Sequence, residues 1–282
     1  MKQKEFCLRL KLQKGITNKE MHLVVEQLGY DQLEITFDLI QELDISSKLR
    51  HKILQAMKNS ALDQCIERIM MQCEVITIFD NIYPSQLREI YSPPIILFAR
   101  GDLKLLQKRI TVVVGSRYPT SYSSFVLKNL IPKLIQQDIV IASGLARGVD
   151  ALAHRETLKN EGKTIAVIGN GLNYFYPNQN QKLQEKIMKQ GLVLSEYLPD
   201  TPPLPFRFVE RNRVLAGLCE NVIVTEAKKK SGSLITANYA LEANRNIFAV
   251  PGPLSSNLSE GPNELIAAGA YPILKDDFEI TL

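Results

Sequence analysis

Residues 110–117 read ITVVVGSR, an unbroken apolar run that ends in glycine, serine and arginine. Six more short apolar runs follow, at 138–142, 164–168, 192–194, 221–225, 247–250 and 271–274. Amphipathic segments with helical spacing separate them, near 123–137, 149–160, 179–190, 208–218, 232–244 and 260–268. Near-continuous apolar strands indicate a sheet buried on both faces, and strands that alternate with helices indicate parallel pairing. The sequence therefore predicts a doubly wound α/β domain with a mainly parallel sheet over 110–282. Pro132 predicts a kink or a restart in the first of its helices.

The first 75 residues have a different, helical pattern. Thr17-x-x-Glu20 forms a capping box, and apolar residues follow it with helical spacing. Ser46 or Ser47 is the expected cap of a further helix, whereas the alternation from Phe6 to Leu12 leaves the opening segment undecided. We expect a small all-α domain over 1–75. A connector over 76–109, with two short strands near 76–79 and 95–98, is then expected to extend the α/β domain.

The composition is that of an ordinary globular protein, with 45% hydrophobic and 23% charged residues in a chain of 282. This excludes a wholly disordered or collagen-like chain. No apolar run approaches the roughly 20 residues that a membrane span needs, so no membrane partner is expected. The first thirty residues mix Lys, Glu and Gln, which does not fit a signal peptide. These patterns predict a cytoplasmic protein.

The net charge is small, but its distribution is uneven. The chain has 34 basic and 30 acidic side chains, a formal net charge of +4. Residues 1–104 hold 14 of each sign, so the whole excess lies in the second part of the chain. The four cysteines (Cys7, Cys65, Cys73 and Cys219) form no C-x-x-C pair, and only three histidines are present. We therefore expect reduced thiols and no metal site.

Small and polar residues follow one predicted strand after another. Ligands of an open α/β sheet bind beyond the carboxyl ends of its strands, where small residues permit close approach and helix N-termini offer N–H groups to phosphate. Asp150 and His154, one helical turn apart, are interpreted as structural because no nucleophile lies nearby in the sequence. Six strand ends favour a phosphate-bearing ligand: Gly115-Ser116-Arg117, Ser143-Gly144-Leu145-Ala146, Gly169-Asn170-Gly171, Ser195-Glu196-Tyr197, Glu226-Ala227 and Pro251-Gly252.

The most informative segment for function is 205–236. Three arginines (Arg207, Arg211 and Arg213) precede its strand, and three lysines (Lys228, Lys229 and Lys230) follow it. Ser231-Gly232-Ser233 then opens a helix whose first turn can accept phosphate. Tyr174, Phe175 and Tyr176 are expected at the same sheet edge, where an aromatic ring stacks on any base. A basic groove with aromatic residues favours single-stranded nucleic acid over a mononucleotide.

These residues resemble the DNA processing protein A family (DprA, also called Smf) from about 83 to 275. The resemblance rests on an ordered series of motifs: Tyr83-Pro84-x-x-Leu87, Gly115-Ser116-Arg117, Ser143-Gly144-Leu145-Ala146-x-Gly148-x-Asp150, Tyr176-Pro177-x-x-Asn180, Ser195-Glu196-Tyr197, Arg211-Asn212-Arg213, Ser231-Gly232-Ser233-Leu234-Ile235-Thr236-Ala237, Phe248-Ala249-Val250-Pro251-Gly252 and Gly261-x-Asn263-x-Leu265-Ile266-x-x-Gly269-Ala270.

The resemblance implies an extended Rossmann-like domain, preceded by a sterile-alpha-motif-like helical domain. It implies binding of single-stranded DNA without sequence preference, without a cofactor and without catalysis. It further implies protection of incoming DNA in natural transformation, loading of the recombinase RecA, and a homodimer. The chain departs from the family at Asn244, where glycine is common, and we expect no winged-helix-like extension of the kind that many members carry.

Carried over residue by residue, the resemblance implies two sets of site residues. The single-stranded DNA site comprises Gly115, Ser116, Arg117, Lys182, Arg211, Arg213, Lys228, Ser231, Gly232 and Ser233. The dimer contact is implied near 238–250 and 263–275, with Asn263, Leu265, Ile266, Tyr271 and Ile273.

Two alternatives stay open. A nucleotide phosphoribohydrolase shares a Rossmann-like fold, but its loop places a glutamate where this chain has Tyr239, three residues after Thr236. A structural partner in competence or cell-cycle regulation is the other alternative.

Overall fold

The computed structural model describes residues 1–30, 32 and 34–274. Five helices form its N-terminal part: α1 (Gln3–Leu12), α2 (Asn18–Leu28), α3 (Phe37–Glu42), α4 (Ser47–Lys58) and α5 (Asp63–Gln72). The predicted capping box at Thr17 and Glu20 is present at the start of α2, and Ser46 caps α4 through the Leu49 N–H. The undecided opening segment is a helix whose alternating Phe6, Leu8 and Leu10 are all buried.

A nine-stranded sheet forms the centre of the described chain. Its strands are β1 (Glu74–Thr77), β2 (Ile96–Gly101), β3 (Ile110–Val114), β4 (Val140–Ser143), β5 (Thr164–Ile168), β6 (Leu192–Ser195), β7 (Asn221–Val224), β8 (Asn246–Ala249) and β9 (Tyr271–Pro272). Their order across the sheet is β1-β2-β6-β5-β4-β3-β7-β8-β9. The pairs from β6 to β9 are parallel, whereas β2 runs antiparallel to both of its neighbours. The predicted mainly parallel, doubly wound α/β fold is confirmed.

Seven helices complete the layers: α6 (Ser85–Arg88), α7 (Ser121–Gln136), α8 (Val149–Lys159), α9 (Gln181–Gln190), α10 (Pro205–Leu218), α11 (Gly232–Glu242) and α12 (Glu260–Ala267). One apolar cluster joins the N-terminal helices to the sheet, and a second lies under α7 and α8. The helix does not restart at Pro132, because α7 runs through this residue as one helix, and the kink stays a prediction. Asn244 adopts the left-handed conformation, with φ 55°, which asparagine tolerates.

The order of the strands creates a binding crevice. From β3 the chain builds β4, β5 and β6 in one direction, and then returns to place β7 on the other side of β3. The connections after β3 and β7 therefore leave the sheet in opposite directions. Such a reversal opens a cleft at the carboxyl ends of the two strands, where open α/β sheets bind their ligands.

Candidate nucleic-acid interface

A groove of about 720 Å³ lies at the carboxyl ends of β3 and β7. We call it the switch-point groove. Three segments line it: the loop after β3, the loop after β7 with the start of α11, and one face of α10. Its main lining residues are Gly115, Ser116, Arg117, Tyr118, Asp150, Phe208, Val209, Arg211, Asn212, Lys228, Lys229, Lys230, Ser231, Gly232 and Ser233. Eight of the ten residues predicted for single-stranded DNA binding therefore meet in one place.

The loop after β3 projects Arg117 into solvent at the edge of the groove. Gly148, at the start of α8, permits this shape because its φ is +73° and a Cβ there would lie 2.6 Å from the Arg117 carbonyl carbon. The Ser116 N–H donates to the Glu226 carbonyl oxygen, which ties the loop to the end of β7. Within the described chain, the Arg117 side chain has no ion pair and no hydrogen bond. Its charge is therefore available to a ligand.

The loop after β7 brings three exposed lysines to the opposite wall. Lys229 pairs with Glu264 at 2.6 Å, so its charge is partly neutralised. Lys228 and Lys230 have no ion pair or side-chain hydrogen bond among the described residues. Ser231 is the N-cap residue of α11, and the first N–H groups of a helix lack partners within it. The space where a side chain at Gly232 would lie is open, which leaves these N–H groups accessible. Within the described chain, this wall therefore combines free cations with unpaired N–H donors.

Arg211 lies at the floor of the groove, where protein groups hold its side chain, and the predicted phosphate contact stays a prediction. Its side chain is buried and donates from Nη1 to the carbonyl oxygens of Gly144, at 2.7 Å, and of Val167. The buried Asp150 carboxylate faces it. Burial lowers the pKa of Arg211 to about 10, although Asp150 opposes this shift, and burial raises the pKa of Asp150 despite Arg211. Arg211 therefore joins the ends of β4 and β5 and is not presented to solvent as a cation.

His154 lies in the same buried layer and contacts Thr164, with which it forms a 2.7 Å hydrogen bond through Nδ1. Thr164 Oγ1 uses its own proton for the Ile141 carbonyl oxygen, so His154 Nδ1 is the donor. The other ring nitrogen is buried and unpartnered within the described chain. Burial, with a smaller effect from Arg211, lowers the pKa of His154 to about 3. This arrangement fits a neutral structural histidine.

Arg213 and Lys182 lie outside the residues that line the groove. Arg213 points to the other side of α10, where its Nη2 binds both carboxylate oxygens of Glu196 at 2.5 and 2.6 Å. The pair is mostly buried. Lys182 is exposed on α9. This pair occupies the Arg213 guanidinium outside the groove lining, and the predicted phosphate contact of Arg213 stays a prediction.

An aromatic wall completes the groove, and only part of it was expected from the sequence. Tyr176 stacks on Phe208 of α10 with ring centroids 5.1 Å apart, and 47% of the Tyr176 surface is exposed. Phe208 was not among the predicted site residues. The spacing of Phe208, Arg211, Asn212 and Leu215 repeats every three to four residues and places all four on one helix face. This helical spacing is the sequence signal that places Phe208 on the groove face of α10.

The residues predicted for dimer contact lie together on α12 and around β9. The Asn263 side chain bonds both the N–H and the carbonyl oxygen of Gly252, so it holds the loop after β8. Leu265 and Ile273 are partly buried against the two apolar clusters. Tyr271 is 57% exposed on the last strand of the described sheet and contacts the Phe248 ring. The final residues of the predicted α/β domain, 275–282, lie outside the described residues.

Comparison with known proteins decides the family. The chain matches the family of DNA recombination-mediator protein A over residues 74–281, and the match begins at the first residue of β1. The chain belongs to this family. DNA processing protein DprA of Streptococcus pneumoniae is 42% identical over 257 residues, which cover 91% of this chain and 90% of the relative.

Two solved structures extend the similarity to three dimensions. DprA from Streptococcus pneumoniae superposes with a TM-score of 0.86 at 39% identity, covering 97% of this chain and 95% of that one. DNA processing protein A from Helicobacter pylori, described for its single-stranded DNA binding mode, has a TM-score of 0.66 at 35% identity. It covers 72% of this chain and 92% of that one. The expectation of a non-catalytic protein agrees with these relatives, which are named for DNA processing and DNA binding. In the part of the chain that the structure describes, no helix is both long and apolar enough to cross a membrane.

Proposed function

We propose that the switch-point groove binds single-stranded DNA through its phosphates and bases without reading sequence. The observation that carries this proposal is the convergence of Arg117, Lys228 and Lys230 on the N-terminus of α11. Three cations without a partner among the described residues and a set of helix N–H donors suit a polyanion. The Helicobacter pylori relative is described as binding single-stranded DNA, and this supports the same ligand here.

The aromatic wall supports a single strand over a duplex. Tyr176 and Phe208 present ring surface beside the cations, and stacking on an aromatic ring requires an unpaired base. Every base has a π face, so such stacking tolerates any sequence. The groove lining includes one carboxylate, that of Asp150, which accepts a hydrogen bond from the Ala146 N–H and faces Arg211. A hydrolytic role for this groove would need a carboxylate free to act, and we therefore propose a binding protein.

Fluorescence anisotropy with labelled oligo(dT) and a mixed-sequence strand of equal length tests the proposal. We expect similar affinities for both strands and an affinity loss of about 10- to 150-fold for Arg117→Ala, since a charge-assisted contact contributes about 1.5–3 kcal/mol. The salt dependence of that variant should weaken by about 0.7 in log–log slope. Arg109→Ala is the charge-matched control, because Arg109 pairs with Glu220 at the opposite end of the sheet. Unchanged binding by Arg117→Ala would refute the groove as the site.

We further propose that two protomers associate through α12 and β9 and that the protein transfers its DNA to RecA in the cytoplasm during natural transformation. The exposed Tyr271 beside the end of the described sheet supports the association, and the description of the family as a recombination mediator supports the transfer. A filament assay tests the transfer on DNA coated with single-strand binding protein. We expect RecA to assemble only when this protein is added, and assembly at the same rate without it would contradict the proposal.

A further inference from the structure

Arg100 connects the helical N-terminal part of the chain to the segments that build the aromatic wall. It lies near the end of β2 and is half-buried. Its Nε donates to the carbonyl oxygen of Gln72, the last residue of α5, at 3.1 Å. Its Nη1 donates to the Leu172 carbonyl oxygen at 3.0 Å, and its Nη2 donates to Asn173 Oδ1 at 2.5 Å. One guanidinium thus binds two separate segments.

Asn173 extends this junction to the segment that precedes α10. Its Nδ2 donates to Gln72 Oε1 at 3.2 Å and to Asp200 Oδ1 at 2.6 Å. Its backbone N–H donates to the Pro199 carbonyl oxygen at 3.0 Å. The loop from 169 to 176 carries Tyr176, and the segment after 200 leads into Phe208. The Arg100 junction therefore holds the two segments of the chain that lead to the members of the stacked pair.

We propose that Arg100 is a positioning residue for single-stranded DNA, and that the N-terminal helices act through it to hold the aromatic wall. This inference rests on the proposed function of the groove. Arg100 is not among the residues that line the groove. Its effect should therefore fall on base stacking, which needs Tyr176 and Phe208 in place, and not on the phosphate contacts of Arg117 and the lysines.

The planar guanidinium is what makes this role testable. Three N–H groups in a fixed fork reach Gln72, Leu172 and Asn173 together. A lysine at this position keeps the positive charge but has a single flexible ammonium that cannot reproduce the fork. Arg100→Lys therefore separates a positioning role from a charge role.

The experiment compares wild type, Arg100→Lys and the control Arg109→Lys on two ligands: oligo(dT) and an abasic phosphate chain of equal length. Arg100→Lys should weaken oligo(dT) binding by about 3- to 10-fold, because it loses one or two of the hydrogen bonds that hold the segments of the aromatic wall. Abasic binding and the salt slope should not change. A strand carrying 2-aminopurine should lose less fluorescence on binding the variant, because quenching reports stacking. Gln72→Ala, at an exposed position, should shift the same readouts in the same direction by a smaller factor.

Equal losses on the two ligands would overturn the inference, because they would show a phosphate contact or general damage. Unchanged oligo(dT) binding would overturn it as well. If wild type fails to bind oligo(dT), the proposed function is refuted separately. The positioning role is then decided by amide exchange in the free protein, where we expect faster exchange over 171–176 in Arg100→Lys, and unchanged exchange would refute it.

Discussion

Replacing Arg211 with methionine should destabilise the protein without acting first on DNA. The substitution removes the donor to the carbonyl oxygens of Gly144 and Val167 and leaves the Asp150 carboxylate buried without its cation. A buried acceptor left unpaired costs about 1–3 kcal/mol. The substitution also removes a favourable charge interaction with Asp150, although that carboxylate keeps its bond from the Ala146 N–H. With two carbonyl acceptors left unpaired, we expect a total loss of about 2–6 kcal/mol.

Urea unfolding at pH 7 measures this loss, with Arg117→Ala as a control that should remain within about 0.5 kcal/mol of wild type. Asp150→Asn combined with Arg211→Met should recover about 1–3 kcal/mol relative to the sum of the single changes, because the two groups interact directly. A different pair of results would contradict the structural role of Arg211. If Arg211→Met unfolds like wild type but binds oligo(dT) as weakly as Arg117→Ala, Arg211 is a DNA ligand and our assignment of it to the floor is wrong.

Three further predictions concern a buried histidine, a glycine and the exposed edge of the sheet. The pKa of His154 is about 3 in the folded protein, against about 6.5 in the unfolded chain. Below pH 6.5 the unfolded state therefore binds a proton that the folded state does not, and the free energy of unfolding falls with decreasing pH by up to about 1.4 kcal/mol per pH unit until pH 3. Urea unfolding of His154→Gln should show a weaker dependence of stability on pH. The same pH dependence as in wild type would contradict a neutral His154. Gly148→Ala should lower stability by about 1–3 kcal/mol and weaken oligo(dT) binding, because its Cβ would clash with the backbone of the loop that carries Arg117. Gly232→Ala is the control, since its Cβ would lie in open space, and it should leave the urea midpoint nearly unchanged. Tyr271→Asp should shift a dimer towards monomer in analytical ultracentrifugation, and an unchanged distribution would exclude this edge from the contact.

Local patterns in the sequence were sufficient to predict the central sheet. Each of the seven apolar runs after residue 109 overlaps a strand. From β3 to β7 every strand residue is buried, and strands buried on both faces need apolar side chains at nearly every position. The opening helix was undecided because Phe6, Leu8 and Leu10 also fit the period of a strand. All three are buried because this helix is covered on more than one side, and a sequence period does not reveal how many sides are covered.

The position of the groove also followed from the sequence, since small residues at successive strand ends have to meet at one edge of a parallel sheet. The partners of its cations did not follow. Lys229 pairs with Glu264, which lies 35 residues further along the chain, and Arg100 reaches Asn173, 73 residues away. Contacts of this kind depend on how separate elements pack, and no local pattern encodes them.

Helix geometry alone already indicates that Arg211 and Arg213 of α10 cannot both contact a ligand in one groove. Arg211 and Arg213 are two residues apart, and such residues do not share a helix face. A single groove could therefore receive only one of the two side chains, and the structure buries that one, Arg211, in the floor.

The number of cations without a partner among the described residues determines the electrostatic strength of the site. Among the cations predicted for this site, Arg211 is buried, Arg213 and Lys229 are paired, and Lys182 and Arg207 lie outside the groove lining. Within the described chain this leaves Arg117, Lys228 and Lys230. At about 0.7 per neutralised phosphate, one groove should show a log–log salt slope of about −2, and a slope of about −3.5 would mean that Arg213 and Lys229 also bind DNA.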